Sequence, residues 1–372
     1  MKLTIERGTL LKALGHVQSI VERRNTIPIL SNVQIEAADG RLSLTATDLD
    51  LAIIESVPAD IDEPGTLTTP AHTLYDIARK LPDGAEVQLL HDGGDGRLAL
   101  NCGRSHFKLA CLPREDFPVM DAGDMAHRFV ISAADLKRLV DKTRFAISTE
   151  ETRYYLNGIF LHVAEVDGVV ALRAVATDGH RLARVEMPAP DGAAGMPGII
   201  VPRKTVAELR KLIDEFEGDI KVALSETKIR FDFDHAVMTS KLIDGTFPDY
   251  ARVIPTTNDK QLEVDAKLLE TVVDRVSTIA TEKTRAIKLN LDHDQLVLSA
   301  TSSETGTGTE ELTVSYAQDP LEIGFNSRYL LDILAHVDGE HAKILLADPT
   351  SPTLVRDDAD DGALYVLMPM RV

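Results

Sequence analysis

The stretch Phe129-Val130-Ile131-Ser132-Ala133-Ala134-Asp135-Leu136-Lys137-Arg138-Leu139-Val140 decides how the rest of the chain is read. Three β-favouring residues come first, then a hydroxyl able to cap a helix, then Leu136, Leu139 and Val140 at helical spacing. This pattern predicts a short strand running directly into a helix over 133–145. The same order opens the chain, where Leu3–Ile5 precede an amphipathic segment from Thr9 to Val21 carrying Leu10, Leu11, Leu14 and Val17. It returns at Leu262-Glu263-Val264, ahead of a helix from Ala266 to Ile279 with Leu268, Leu269, Val272, Val273 and Val276.

Two strands follow each start: Ile29–Ala37 and Arg41–Thr47, Leu156–Val163 and Val169–Ala176, Ala286–Leu291 and Gln295–Ala300. Turns at Asp39-Gly40 and Asp167-Gly168 join the first two pairs. A second strand–helix–strand pattern completes each copy. Strand-like Gly65–Thr68, Gly198–Val201 and Leu321–Gly324 lead into helices over 71–80, 203–215 and 327–337. These give way to Glu86–Leu90, Asp219–Ala223 and His341–Leu346. Thr47-Asp48 matches Thr177-Asp178 at an offset of 130, and Phe117-Pro118 matches Phe247-Pro248 at the same offset. Three units of about 124 residues fill the 372, so the chain reads as α+β, one domain repeated in tandem. Polar connectors at Asp121–Asp124 and Pro255–Asp259 place the domains at 1–125, 126–254 and 255–372.

Composition narrows the function. Aromatic residues are 5% and Trp is absent, so stacking platforms for single-stranded nucleic acid are not expected. The 40 basic and 59 acidic residues leave a formal charge of −19, which as a whole-body field repels phosphate. That field does not describe a local basic surface, because screening acts over about 8–10 Å. Cys102 and Cys111 form no CxxC or Cys/His set, and core thiols with no metal and no cofactor are expected. No run approaches the roughly 20 apolar residues of a membrane span, and the start carries no signal-peptide core, so a cytoplasmic protein with no membrane partner is expected.

Catalytic signatures are missing. There is no GxxxxGK[ST], HExxH, GxSxG or EF-hand loop, and no catalytic residue is assigned. The run Asp92-Gly93-Gly94-Asp95-Gly96 reads as a tight hairpin. Asp178-Gly179-His180-Arg181 offers an acid beside a histidine but no nucleophile, and its place at a strand end predicts an Asx-type turn. The acidic run Asp357-Asp358-Ala359-Asp360-Asp361 reads as a solvated hairpin tip. Basic residues instead gather near the helices: Arg7, Lys12, Arg23 and Arg24 in the first copy, Lys137, Arg138, Lys142, Arg144, Lys204, Arg210 and Lys211 in the second. If the helices share one face, that face is relatively positive.

Five stretches then identify a family. They are Asn25–Leu30, Arg153-Tyr154-Tyr155-Leu156-Asn157-Gly158, Ala176-Thr177-Asp178-Gly179-His180-Arg181-Leu182, Phe247-Pro248-Asp249-Tyr250 and Tyr365–Val372. In this order and at this spacing the chain resembles, end to end, the beta subunit of bacterial DNA polymerase III, the DNA sliding clamps. The resemblance implies a head-to-tail homodimer forming a ring, with helices lining a channel and antiparallel sheets outside. It implies a processivity factor rather than an enzyme, loaded onto double-stranded DNA by a clamp loader. Replicative and repair DNA polymerases, ligase, mismatch-repair proteins and initiation-regulating proteins would share one docking surface through short apolar motifs, at the nucleoid.

Carried over by residue, that surface has one subsite of Leu156, Thr177, Gly179, His180, Arg181, Leu182, Pro248, Arg252, Val253, Val366 and Met368. Its neighbour involves Asn326, Tyr329, Thr350, Pro352, the shared Met368, Pro369, Met370 and Arg371. Methionines on either side of a proline make an adaptable apolar wall. The resemblance further implies DNA-facing Arg24, Tyr154, Tyr155, Lys137, Arg138, Lys204 and Arg210. It implies a dimer interface in which Arg104, Phe107 and Leu109 meet Ile279 and Glu304. Thr284 and Pro352 depart from the family pattern and put peptide preference, not clamp function, in doubt. Two other readings stay open at this point: an enzyme using Asp178 and His180, and a monomeric peptide-binding scaffold.

Overall fold

A computed structural model describes residues 1–94, 96–121, 123–166, 168–281 and 285–372. Its α-helices in chain order are α1 (Arg7–Gln18), α2 (Ala71–Lys80), α3 (Ala133–Arg144), α4 (Arg203–Asp214), α5 (Ala266–Ser277) and α6 (Ser327–Leu334). They alternate with antiparallel strands in the thrice-repeated order read from the sequence.

Local chemistry sets where helices begin. The Glu6 carboxylate accepts from the amides of Gly8 and Thr9 at 2.7 and 2.8 Å, so α1 starts at Arg7, two residues ahead of the expected Thr9. Those same hydrogen bonds hold the Glu6 carboxyl below its ordinary range. Ser132 Oγ accepts from the Asp135 amide at 3.0 Å, the cap expected for α3. Asp265 caps α5 and Asn326 caps α6 in the same way. Two expected strand starts are displaced. Pro28–Ser31 and Glu151–Leu156 are 3-10 turns, and their strands run over Asn32–Ala38 and Gly158–Val166. Pro28 has no amide to give a ladder. Gly158 is the first residue that can lie against the Val201 carbonyl, where a Cβ would come within 2.2 Å.

The described residues fall into two compact units. The first comprises 1–137, 190–193 and 204–242. It holds a five-stranded sheet in the order Asp60–Glu63, Lys2–Glu6, Glu86–Leu90, Arg97–Cys102, Ser105–Ala110. It also holds an eight-stranded sheet in which Ala236–Lys241 pairs with Leu51–Pro58, so strands of the second repeat continue the sheet of the first. Leu10, Leu14 and Val17 of α1 and Leu74 and Ala78 of α2 are buried in this unit. Each large aliphatic among them contributes about 1.5–3 kcal/mol of hydrophobic free energy.

The second unit comprises 138–189, 194–203 and 243–372. Its eight-stranded sheet pairs Arg181–Pro188 with the terminal strand Ala363–Leu367, and its four-stranded sheet ends on Gly306–Thr313. Leu269, Val272, Val273 and Val276 of α5 and Leu330 and Ile333 of α6 are buried here. Ser105–Ala110 and Gly306–Thr313 are each sheet edges, paired on one side only among the described residues.

The acidic run at 357–361 is not the solvated tip expected. Asp357 is fully buried, and Lys142, itself buried, reaches Asp357, Asp360 and Asp338 at 3.1, 2.8 and 2.7 Å. Arg138 donates to Asp360 through Nε at 2.8 Å. Asp357 also accepts from the amides of Asp338, Gly339 and Ala359. Burial alone would raise the Asp360 carboxyl, but Arg138 and Lys142 overcome it and hold it at about 2. Spacing shows acidic residues together; it does not show two cations, more than 200 residues away in sequence, folding over them.

Glu86–Leu90 and Arg97–Cys102 are paired antiparallel, and between them the Gly94 amide donates to Asp92 Oδ1 at 3.0 Å; Asp95 and Asp167, and with them part of the turns expected there, lie outside the described residues. Cys102 is buried and Cys111 half-buried. Among the described residues no helix is long and apolar enough to cross a membrane.

Candidate functional site

In the second unit, the turn joining Val169–Thr177 to Arg181–Pro188 is built by its own side chains. Thr177 Oγ1 accepts from the Gly179 amide at 3.1 Å and donates to the Arg181 carbonyl at 2.7 Å. Asp178 Oδ1 accepts from the amides of His180 and Arg181 at 2.9 and 3.0 Å. This is the Asx-type turn the sequence predicted, and it occupies the acid that an enzymatic reading would need. Gly179 has φ +88°, a backbone conformation that residues with a Cβ rarely adopt, so glycine is favoured here.

Arg181 is buried and fully committed. It ion-pairs with Asp178 and Asp332, donates to the Phe145 carbonyl at 2.6 Å, and lies over the Phe145 and Tyr329 rings at 5.2 and 4.5 Å. Its charge is therefore spent on locking the turn to α6, not offered to a ligand.

Behind this turn lies a cleft of about 260 Å³. It is lined by Arg153, Tyr155, Leu156, Thr177, Gly179, Arg181, Leu182, Pro248, Asp249, Tyr250, Val253, Val366 and Met368. Its floor belongs to a buried cluster of Leu156, Val175, Leu182, Ile200, Phe247, Tyr250, Leu354, Leu364 and Val366. The wall is exposed apolar surface: Val253 is 48% exposed and Met368 39%. An apolar hollow with a few fixed polar groups at its rim suits a hydrophobic side chain delivered by a peptide.

Nine of the first-subsite residues meet in this cleft: Leu156, Thr177, Gly179, Arg181, Leu182, Pro248, Val253, Val366 and Met368. Arg252 is turned to solvent and paired with Asp249 at 2.8 Å. His180 stacks on Tyr329 with ring centroids 6.0 Å apart. The chain beyond the terminal strand is tied down, the Met368 amide on the His180 carbonyl and the Met370 amide on the Gly324 carbonyl, both at 2.9 Å. Gly324 is needed there, since a Cβ would come 2.4 Å from Val372. Of the second subsite, Asn326 caps α6, Thr350 sits in a turn around Asp348, and the Pro352 carbonyl accepts from Asn258 at 2.9 Å. Those three, with Tyr329, Pro369, Met370 and Arg371, do not line the cleft. Arg153, Tyr155, Asp249 and Tyr250 line it too: Tyr155 was expected to face DNA, and the other three stood in the quoted family stretches without a site role.

The basic residues are mostly engaged. Lys137 pairs with Asp214 at 2.9 Å, Lys204 with Asp48 at 2.5 Å, and Arg210, largely buried, with Asp214. Arg138 is held by Asp360, while Arg24 is exposed and Tyr154 is 53% exposed against the edge of Tyr155. At the two sheet edges, Phe107 is 36% exposed and Leu109 buried on one strand. Arg104 and Glu304 are exposed in the adjoining turns, and Ile279 packs against Gly308 of the other edge strand. Thr284 lies outside the described residues.

Comparison with known proteins agrees along the whole chain. Models of the DNA polymerase III beta subunit match in order: its N-terminal domain over residues 1–121, its central domain over 130–249 and its C-terminal domain over 251–371. The beta sliding clamp of Caulobacter vibrioides is 56% identical over 372 residues, covering 100% of both chains. The crystal structure of the C. crescentus beta sliding clamp superposes with a TM-score of 0.98 at 56% identity, covering 100% of this chain and 99% of that one. A DnaN sliding clamp from Bartonella birtlesii, bound to griselimycin, gives a TM-score of 0.97 at 52% identity with 100% of both chains covered. With three tandem domains of helices and antiparallel sheets matched from end to end, the chain belongs to the family of the DNA polymerase III beta subunit, the bacterial sliding clamps.

Proposed function

We propose that this chain works as its family does, by enclosing duplex DNA and tethering a polymerase to it, with the cleft at Leu182, Val366 and Met368 as the point of tether. It is a processivity factor and catalyses no reaction. The observation that carries the reading is an apolar cleft, rimmed by exposed Val253 and Met368, on a chain matched to the family over its full length.

Three domains, at 1–125, 126–254 and 255–372, would make up each half of the ring. Two copies would close it head to tail, the edge strand Ser105–Ala110 of one copy adding to Gly306–Thr313 of the other. Arg104, Phe107 and Leu109 would then face Ile279 and Glu304. Arg24, Tyr154, Tyr155, Lys137, Arg138, Lys204 and Arg210 would face DNA. Several of these cations already carry an internal partner, which suits a weak, salt-sensitive attraction that leaves the ring free to slide.

Leu156, Thr177, Gly179, His180, Arg181, Leu182, Pro248, Arg252, Val253, Val366 and Met368 would receive one end of a short apolar motif. Asn326, Tyr329, Thr350, Pro352, Pro369, Met370 and Arg371 would receive the other. Burying about 200–300 Å² of apolar surface gives roughly 5–8 kcal/mol, much of it offset by ordering the peptide. Affinity of micromolar order follows and lets partners exchange. Clamp loader and polymerase are the general partners; repair polymerases, ligase, mismatch-repair proteins and initiation regulators would compete for the same cleft, in the cytoplasm at the nucleoid.

The test uses topology. Loaded by its loader onto nicked circular DNA, the protein should stay bound in high salt and leave once the circle is cut. Retention on linear DNA would overturn enclosure.

A further inference from the structure

Outside the cleft, the first unit brings together three donors that lie far apart in sequence. His16 comes from the buried face of α1, Glu55 from the strand Leu51–Pro58, and His235 from the turn before Ala236–Lys241. Glu55 and His235 are locked side by side by the ladder, with Ala236 opposite Glu55 and the Ser56 amide on the His235 carbonyl at 2.8 Å. His16 Nδ1 lies 3.1 Å from Glu55 Oε2, and His235 Nε2 lies 3.8 Å from Glu55 Oε1. One donor atom from each residue falls within 4.8 Å of the others.

Two features make this more than a chance meeting. Glu55 is 1% exposed, and the groups facing its carboxylate are imidazoles, with no Lys or Arg paired to it among the described residues. A buried carboxylate without a full positive charge nearby is costly. His16 is 7% exposed, and its Nε2 is sealed from solvent without a hydrogen bond. Glu215 Oε1 lies 3.4 Å behind that nitrogen, and Lys12 holds the other Glu215 oxygen at 2.9 Å. An acid behind the far nitrogen of a histidine is the arrangement that orients metal-ligating imidazoles.

We propose that His16 Nδ1, Glu55 and His235 Nε2 form a site for a divalent transition metal, Zn²⁺ by its donor set, with Glu215 positioning His16 from behind. Two imidazoles and a carboxylate suit Zn²⁺, and bonds of about 2.0–2.2 Å place neighbouring donors about 3.3–3.6 Å apart. The imidazoles lie 3.1 and 3.8 Å from Glu55 and all three donors within 4.8 Å, so the set needs to draw in slightly around an ion. Three protein ligands leave a fourth place for water. The ion sets a divalent charge beside Glu55 and ties α1 of the first repeat to the hairpin of the second.

Full-length protein stripped with chelator and titrated with ZnCl₂ near neutral pH should bind one ion per chain, with a rise in melting midpoint. CoCl₂ should give the visible absorption of a tetrahedral site. His235→Gln, at a partly exposed turn, should weaken zinc binding at least about 30-fold and remove the rise. Glu215→Gln, which touches no metal, should weaken it about 10–100-fold while keeping the cobalt spectrum. Absence of stoichiometric uptake, or uptake unchanged in both variants, would overturn the site.

Discussion

The turns at Thr47–Leu51 and Thr177–Arg181 are the same object built twice, and the second of them opens onto the apolar cleft. In the first, Thr47 Oγ1 bonds the Leu51 carbonyl at 2.9 Å and the Leu49 amide at 3.0 Å, while Asp48 Oδ1 takes the amides of Asp50 and Leu51. Every one of these bonds has its counterpart at Thr177 and Asp178. The strand beyond is also equivalent: the Lys241 amide bonds the Asp50 carbonyl at 2.8 Å as the Met368 amide bonds that of His180 at 2.9 Å. What differs is the side chains on that frame. Where the second turn has Leu182, Val366 and Met368, the first has Ala52, Thr239 and Lys241. Lys241 is paired to Asp50 at 2.9 Å. The backbone supplies a platform in both; the docking surface resides in a handful of apolar side chains.

Breaking the comparison most severely means removing Arg181, whose counterpart is the uncharged Leu51. Arg181→Ala strands Asp178 and Asp332, and should cost about 3–5 kcal/mol in denaturant unfolding of the second unit. Converting one platform towards the other comes next: Met368→Lys should weaken binding of an apolar clamp-binding peptide at least about tenfold with the melt unchanged, since Met368 is exposed. If affinity survives, the cleft is not the tether.

Smaller effects separate the two turns by backbone alone. Gly179→Ala should destabilise by about 1–2 kcal/mol through its positive φ. Leu49, at φ +79°, occupies the equivalent place with a side chain, and Leu49→Gly should stabilise by up to about 1 kcal/mol. Unchanged midpoints in both would show that the turns tolerate strain alike. The last effect is one that acid reveals. The Asp360 carboxyl, held at about 2 in the fold, stabilises the second unit above the ordinary carboxylate value and ceases to as pH falls from about 4 towards 2. Asp360→Asn should flatten that acid limb of the melting profile.

The threefold order of elements was legible because alternation and helical spacing act over neighbouring residues, and Ser132 and Asp178 acted as their local chemistry predicted. Part of the cleft was legible through family motifs, which placed Leu182 and Met368 in it but assigned Tyr155 to DNA and gave Asp249 no role. Asp357 and Asp360 were misread because an acidic run signals solvent unless distant cations cover it, and Lys142 and Arg138 stand more than 200 residues earlier.

By itself, then, the sequence determined the α+β repeats, the turns and the family, all of which rest on contacts between residues close along the chain or on matched motifs. Tertiary structure alone decided which charges are desolvated, which of two like turns carries an apolar wall, and that His16, Glu55 and His235 meet. The reason is physical: burial and the convergence of donors depend on which surfaces fold together, and no spacing in the chain records that.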